Sequence, residues 1–262
     1  MKLLVCIKQV PGTSKVDMDE ESGVLKRSSV EAKMNPYDLF AIETALRVKE
    51  QYGGDVTTIS MGPIKAEEII KESYMMGVDH GALISDRAFA GSDVLATSSA
   101  LSQGIRLLGD FDIIFCGKQT TDGDTAQVGP EVSEILDIPH VTNVIEILEV
   151  KDKSIRVKID AGEMILVQDI SFPCLIAVDK DIYTPRLPSY KIKRNMGNKV
   201  IRRISLSDFS HNDENSYGLK GSPTQVERIF KPIDTRENII IKSSGEESAD
   251  FIFKKLKQLK II

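Results

Sequence analysis

Four short apolar runs, Leu3–Ile7, Asp55–Met61, Ala82–Ser85 and Asp112–Cys116, alternate with segments of helical periodicity through the first half of the chain. No other feature narrows the fold as much. Strands separated by helices pair side by side through right-handed crossovers, so the expected class is α/β: a mostly parallel sheet with helices on both faces, three layers in all. The first intervening segment carries the marks of a helix start. Asn35 is a favoured N-cap residue, Pro36 suits the first helical position and Asp38 complements the dipole. Beyond them Leu39, Ile42, Ala45 and Leu46 share one face, and Glu43, Arg47 and Glu50 another. Ile64–Met76 reads as a second helix stopped by Gly77, and Ser92–Leu108 as a third, while a hairpin is expected around Val16–Leu25 with its turn at Gly23.

The second half changes character. Val141–Val150, Ser154–Ile159 and Met164–Ile170 read as antiparallel strands with turns at Asp152-Lys153 and Ala161-Gly162, and Pro173–Val178 as a further buried run. Asp179–Arg194 holds two prolines, two tyrosines and several cations; it suits a docking loop or a solvated connector. Residues 209–245 are polar, too poor in apolar side chains for a domain of their own. At the end, Ala249, Ile252, Leu256 and Leu259 lie opposite Asp250, Lys254 and Lys257 on an amphipathic helix whose stripe needs a surface, its own or a partner's. The expected division is a nucleotide-binding α/β domain at 1–208 and an extended C-terminal arm at 209–262.

Composition bounds the function. At 262 residues, 41% hydrophobic and 28% charged, the chain can bury a full core. A net charge of −5 argues against a general nucleic-acid binder, and no apolar run approaches a membrane span. The N-terminal run is too short for a signal peptide, so a cytoplasmic protein is expected. Cys6, Cys116 and Cys174 have no CxxC partner and the three histidines are isolated, which gives no disulfide framework and no metal-ligand spacing.

The richest chemistry lies in Cys116-Gly-Lys-Gln-Thr-Thr-Asp-Gly-Asp-Thr-Ala-Gln-Val-Gly-Pro130, between a strand and a helical pattern at Glu131–Leu136. A polar loop that ends at a helix N-terminus directs backbone N–H groups and a positive dipole end at whatever lies above the strand, and suits a phosphate. Thr120, Thr121 and Thr125 offer hydroxyls, Gln119 and Gln127 amides, and Lys118 a charge, while Gly117, Gly123 and Gly129 allow close approach. Asp122 and Asp124 suit an anion poorly and would cap the turn or face a ribose or solvent. The loop matches neither Gly-x-Gly-x-x-Gly nor a P-loop, and it could be a plain connector. In parallel sheets ligands bind beyond the C-terminal strand ends where strand order reverses. The exit of the first strand (Cys6–Lys8), Asn35–Asp38, Met61-Gly62-Pro63, Ala90–Asp93 and the 117–128 loop are expected to converge there.

The Met34-Asn-Pro-Tyr-Asp38 turn, Ser60-Met-Gly-Pro63, Met76-Gly-Val-Asp79, the Cys116–Val128 loop and the Pro185-Arg-Leu-Pro188 core of the 179–191 segment occur in the order found in the β subunit of electron-transfer flavoproteins, which this chain resembles from its first strand to at least Pro223–Phe230. The resemblance implies an adenine-nucleotide-binding fold, a heterodimer with an α subunit that carries its own FAD, and a C-terminal arm that embraces that subunit. It places nucleotide contacts on Cys6, Asn35, Pro36, Tyr37, Asp38, Met61 and Gly117, Lys118, Gln119, Thr120, Thr121, Asp122, Gly123, Asp124, Thr125, Ala126, Gln127 and Val128. A dehydrogenase-docking loop maps to 181–194, with Leu187 as anchor beside Pro188 and Tyr190. Asp86–Ser98 is similar to the segment that cradles a second FAD in the electron-bifurcating branch, with Gly91, Ser92, Asp93, Thr97 and Ser98 near that flavin; the alternative is AMP in the pocket. The bifurcating branch implies NADH as hydride donor, ferredoxin as low-potential acceptor, and an acyl-CoA or lactate dehydrogenase as partner. A regulatory adenine-nucleotide-binding module shares the fold and needs no redox partner.

Overall fold

The computed structural model describes residues 1–12, 32–195, 197, 199–227 and 240–262, which fall into two compact units, Met1–Glu227 and Arg228–Ile262. The hairpin expected at 16–25 lies outside the described residues.

The first unit is built on a nine-stranded sheet. In chain order its strands are β1 (Lys2–Cys6), β4 (Asp55–Met61), β5 (His80–Ile84), β6 (Ile113–Gly117), β7 (His140–Val150), β8 (Ser154–Asp160), β9 (Ile165–Ser171), β10 (Cys174–Val178) and β11 (Ile201–Ile204). A separate antiparallel pair joins β2 (Gln9–Pro11) to β3 (Ala32–Met34). The spatial order is β11-β5-β4-β1-β6-β10-β7-β8-β9. From β11 to β7 every neighbouring pair is parallel, and β7, β8 and β9 continue as the expected antiparallel extension.

Both faces of the parallel region are covered, so its strands are apolar throughout. Leu3 and Val5 of β1 join a cluster with Ala41, Ile42 and Ala45 of α1 (Pro36–Tyr52) and Ile69, Ile70 and Tyr74 of α2 (Glu67–Met76). Leu4 faces the other way, into a cluster with Ala100, Leu101 and Ile105 of α3 (Val94–Leu108) and Val132 of α4 (Val128–Leu136). After β1 the chain builds β4 and β5 to one side, then crosses through α3 to place β6 on the other. Strand order therefore reverses between β1 and β6.

Three details depart from the sequence reading. The expected second helix opens as a tight 3-10 turn at Ile64–Ala66 before α2. The third starts at Val94 because the Asp93 side chain caps it, accepting from the Ala96 N–H at 3.0 Å. β11 was not expected: Arg202 and Arg203 interrupt its apolar character, as an edge strand allows. Beyond it the chain is less polar in role than in composition. Phe209 and Tyr217, the latter just before α6 (Gly218–Gly221), are buried with Phe89 at ring-centroid distances of 5.3–5.6 Å.

At the opposite edge Met164, Ile165, Leu166 and Val167 are exposed. In the second unit α7 (Gly245–Gln258) begins in a capping box between Ser244 and Glu247; Phe251, Ile252 and Phe253 are exposed and Leu256 is half-buried.

Candidate functional site

The C-terminal ends of β1 and β6 lie side by side, with Cys6 in register with Cys116. Here α1 begins, and α4 and its preceding loop open on the opposite face. Asn35 occupies the N-cap position of α1 as expected, yet its side chain makes no capping bond. It reaches across the switch point instead. Its Nδ2 donates to Asp38 Oδ1 at 2.8 Å and to the Gln119 carbonyl at 2.9 Å, while its Oδ1 accepts from the Thr121 N–H at 3.2 Å. Asp38 is buried and its Oδ2 accepts from the Lys8 N–H at 2.7 Å. Burial pushes the Asp38 carboxyl up to about 7 against the pull of its hydrogen bonds to Asn35 and Lys8. The thiols beneath are pushed up as well by burial and by Asp38, Cys6 to about 12.

The loop from Gly117 to Gln127 rises from this base. A Cβ on Gly117 would lie 2.7 Å from the Tyr37 backbone and 2.8 Å from Asp38 Oδ1, and one on Gly129 would lie 2.7 Å from Cys116 Sγ. These two glycines therefore let the loop close on α1 and let α4 settle on β6; Gly123 has no such crowding. Asp124 and Ala126 have φ of 54° and 55°, and Gln127 returns to the right-handed region. That change of hand is the backbone form of an anion-binding nest, and it leads into the free N–H groups of the first turn of α4.

The side chains are arranged differently from the sequence expectation. Lys118 Nζ pairs with Asp179 Oδ2 at 2.9 Å, and Lys8 Nζ pairs with Asp122 at 2.8 Å. Asp124 accepts from the Gln119 amide. Burial would raise the Asp122 carboxyl, but the Lys8 ammonium wins and holds it below the usual range. The two awkward carboxylates are thus occupied within the protein, and so are the two cations. What remains for a phosphate is backbone N–H, hydroxyls and the α4 dipole.

The other expected residues divide into two groups. Met61 ends β4 at the same sheet edge, half-buried, and the N-terminus of α3 opens there too. Around that N-terminus the polar groups are turned inward. Gly91 has φ +76° and a Cβ there would press on Leu219. Ser92 Oγ donates to the Phe89 carbonyl and accepts from the Gly218 N–H. Asp93 accepts from Thr224, and Ser98 Oγ donates to the Val94 carbonyl. Thr97 is half-buried on the first turns of α3. The partners of this segment, Gly218, Leu219, Ser222 and Thr224, were missed in the sequence because they lie more than a hundred residues away.

In the 179–195 segment Leu187 and Tyr190 are 87% and 77% exposed, and Pro188 is exposed between them. The footing of the segment is firm. Arg186 Nε donates to Glu43 Oε2 at 2.8 Å and its Nη1 to Glu50 Oε1 at 2.6 Å, the Arg47 guanidinium lies 4.4 Å over the Tyr183 ring, and the Ser189 N–H donates to the Met75 carbonyl. Glu43 is buried, although periodicity placed it on the outer face of α1; the hydrogen bonds from Arg186 and Arg47 overcome its burial and hold its carboxyl below the usual range. A short helix, α5 (Tyr190–Asn195), follows.

Loop nest, glycine approach and strand-order reversal together form a backbone site suited to an anionic group such as a phosphate. The chain matches the electron transfer flavoprotein domain over residues 22–208. It is 42% identical, over the full length of both chains, to the electron transfer flavoprotein subunit beta of Thermoanaerobacterium thermosaccharolyticum. It is 38% identical to the acryloyl-CoA reductase electron transfer subunit gamma of Anaerotignum propionicum, again over both full lengths. To protein FixA of Sinorhizobium fredii it is 38% identical, over 92% of this chain and 86% of that one. By fold, ordered motifs and full-length similarity, the chain belongs to the electron transfer flavoprotein β-subunit family.

Proposed function

We propose that this chain is the nucleotide-binding half of a heterodimeric electron transfer flavoprotein of the bifurcating branch, with FAD in the pocket at the strand-order reversal. The observation that carries the reading is the meeting of the β1 exit, the α1 N-terminus and the 117–128 loop at one sheet edge, where the α3 N-terminus also opens. FAD would lay its adenylate half on the 117–128 loop and its flavin toward Gly91–Ser98. A bound FAD supplies hydride acceptance from NADH and one-electron donation. The protein's part is to hold the phosphates through the loop N–H groups, to orient the ring, and to favour negative charge at it through the α3 dipole. Electrons from NADH would then part between the α-subunit FAD, leading to a dehydrogenase, and ferredoxin. The name of the Anaerotignum relative supports an acyl-CoA-type partner, and the exposed Leu187, Pro188 and Tyr190 are the surface offered to it. Of the 209–262 arm, residues 209–224 pack within the first unit, so its part beyond Glu227 is assigned to the α subunit and the complex to the cytoplasm; among the described residues no helix is long and apolar enough to cross a membrane.

A second reading, AMP in place of FAD, is favoured by one feature: Ser92, Asp93 and Ser98 spend their polar groups within the protein. Nucleotide analysis of the chain co-purified with its α subunit separates the two. Two FAD and no AMP per heterodimer supports bifurcation; one FAD and one AMP keeps the family and removes the second flavin. No nucleotide in this chain would overturn both and leave a regulatory adenine-binding module without its ligand.

A further inference from the structure

Asp38 lies under the candidate pocket, and both of its oxygens are engaged by N–H groups of the protein. It accepts from the Lys8 N–H on one oxygen and from the Asn35 amide on the other, and the Gly117 N–H faces it from β6. Asn35 is equally committed. Its Nδ2 serves two acceptors, Asp38 Oδ1 and the Gln119 carbonyl, and its Oδ1 serves the Thr121 N–H. These bonds fix the orientation of the Asn35 amide, because turning it over would face Oδ1 with the Gln119 carbonyl and Nδ2 with the Thr121 N–H. Asn35 is therefore the tether between a buried carboxylate and the stretch of loop that carries Gln119, Thr120 and Thr121.

We propose that Asp38 is a positioning residue, not a nucleotide ligand, and that its protonation state sets, through the Asn35 amide, whether the 119–121 stretch is held against α1 in its binding form. Both Asp38 oxygens face N–H donors. A proton on Oδ1, on the side of the Asn35 amide, meets that donor, and the conflict is relieved when Asn35 turns over to accept it. That turn breaks both bonds from Asn35 to the loop. The carboxylate form holds the loop and the carboxylic acid form releases it.

The proton is exchanged in the physiological range, since burial raises the Asp38 carboxyl to about 7. Among the described residues, the other titratable or charged groups facing it are few. Cys6 on β1 and Cys116 on β6 stay neutral thiols. Lys8 is held by Asp122, and Tyr37 borders Asp38 on α1. Neither thiol changes charge with Asp38 between pH 6 and 8. The inference rests on the nucleotide reading of the pocket and adds to it a proton that must leave when the nucleotide binds.

The test measures the affinity of the full-length chain for FAD and, in parallel, for AMP between pH 6 and 8. If only the ionised form is competent, wild-type affinity for FAD falls about tenfold from pH 8 to pH 6. Asp38→Asn places an NH2 where the acid form places its hydroxyl, so at pH 8 it is expected to bind FAD no more tightly than the wild type does at pH 6, with no further pH dependence. Its AMP profile reports only the titration of the phosphate itself. Asn35→Ser removes the tether and leaves Asp38 in place; it should give the same flat profile, and serves if Asp38→Asn does not fold. A pH-independent wild type that binds tightly, or an Asp38→Asn variant that keeps the wild-type profile, overturns the inference and leaves the pocket standing. A wild type that binds neither probe at pH 8 removes the nucleotide reading, and the inference with it.

Discussion

Lys118 at the start of the nucleotide loop and Asp179 just past the end of β10 form an ion pair of 2.9 Å, and the Lys118 N–H also donates to the Val178 carbonyl at 2.8 Å. The loop proposed to hold a phosphate and the segment proposed to meet a partner thus start from one contact. Because the Lys118 charge is already committed, Lys118→Gln is expected to change nucleotide affinity by no more than about fivefold, the scale of a partly exposed ion pair. Asp179→Asn frees the ammonium and should tighten AMP binding. Isothermal titration of the two variants checks the pair; a large loss in Lys118→Gln would show that the lysine leaves Asp179 for the ligand.

Gly129 and Cys116 are packed so closely that a methyl group has no room. Gly129→Ala should cost about 1–3 kcal/mol as an overpacked site. Cys116→Ala removes the sulfur that the new Cβ would strike at 2.7 Å and should restore part of that loss in the double variant. Urea unfolding of the two single variants and the double variant gives the coupling directly; strict additivity would contradict the contact.

Asp38 also shapes stability against pH. Its folded-state carboxyl is raised from 3.8 to about 7, so the folded chain holds this proton where the unfolded chain has lost it. The favourable contribution is complete below about pH 4, erodes as pH rises, and is gone above about pH 7. Each unit of that interval is worth about 1.4 kcal/mol at most. Asp38→Asn has no carboxyl to ionise, so its stability relative to wild type should improve steadily between pH 4.5 and pH 7.5 in denaturant titrations. A constant difference across that range would mean that Asp38 titrates as an ordinary carboxylate.

Arg186 and Leu187 are neighbours with opposite roles. Arg186→Ala strands the buried Glu43 with Arg47 as its remaining cation and should destabilise the chain by about 1–3 kcal/mol. Leu187→Ala removes a side chain that touches water and should leave stability within about 0.5 kcal/mol. Thermal unfolding separates the pair, and a Leu187 variant as unstable as the Arg186 variant would contradict the exposure.

Val167 tests the far edge of the sheet. Three consecutive exposed apolar residues at the start of an edge strand, preceded by the exposed Met164, are a template for unwanted strand pairing. Val167→Lys should slow aggregation of the isolated chain on warming without lowering its unfolding midpoint, as followed by light scattering.

The parallel sheet was legible because strands buried on both faces must be apolar and their helices must be amphipathic, which leaves periodicity in plain view at Leu3–Ile7 or along α3. The convergence of Asn35–Asp38 with the 117–128 loop followed from topology alone. Pairing was not legible. Lys118 looks like a free cation until Asp179 is placed beside it, and Asn35 looks like a cap until Gln119 and Thr121 are. Glu43 sits in a charged stripe with Arg47 and Glu50, and its burial is accounted for once Arg186, 143 residues further on, joins Arg47 as its partner. β11 was hidden for a related reason: two arginines are tolerable in an edge strand and disqualifying in a central one.

After β10, near the middle of the sheet, the chain runs through the 179–200 segment and re-enters the sheet as β11, at the far edge beside β5. The segment that displays Leu187 is therefore a bridge with both abutments set in one sheet. A bridge can be cut without losing either bank. A single peptide-bond cleavage beside Leu187 is expected to leave two fragments that stay assembled through β11 and the Phe89–Phe209–Tyr217 cluster and separate only in denaturant. The tip of this loop is thus open to insertion, tagging or splitting of the chain, while its two ends remain part of the architecture.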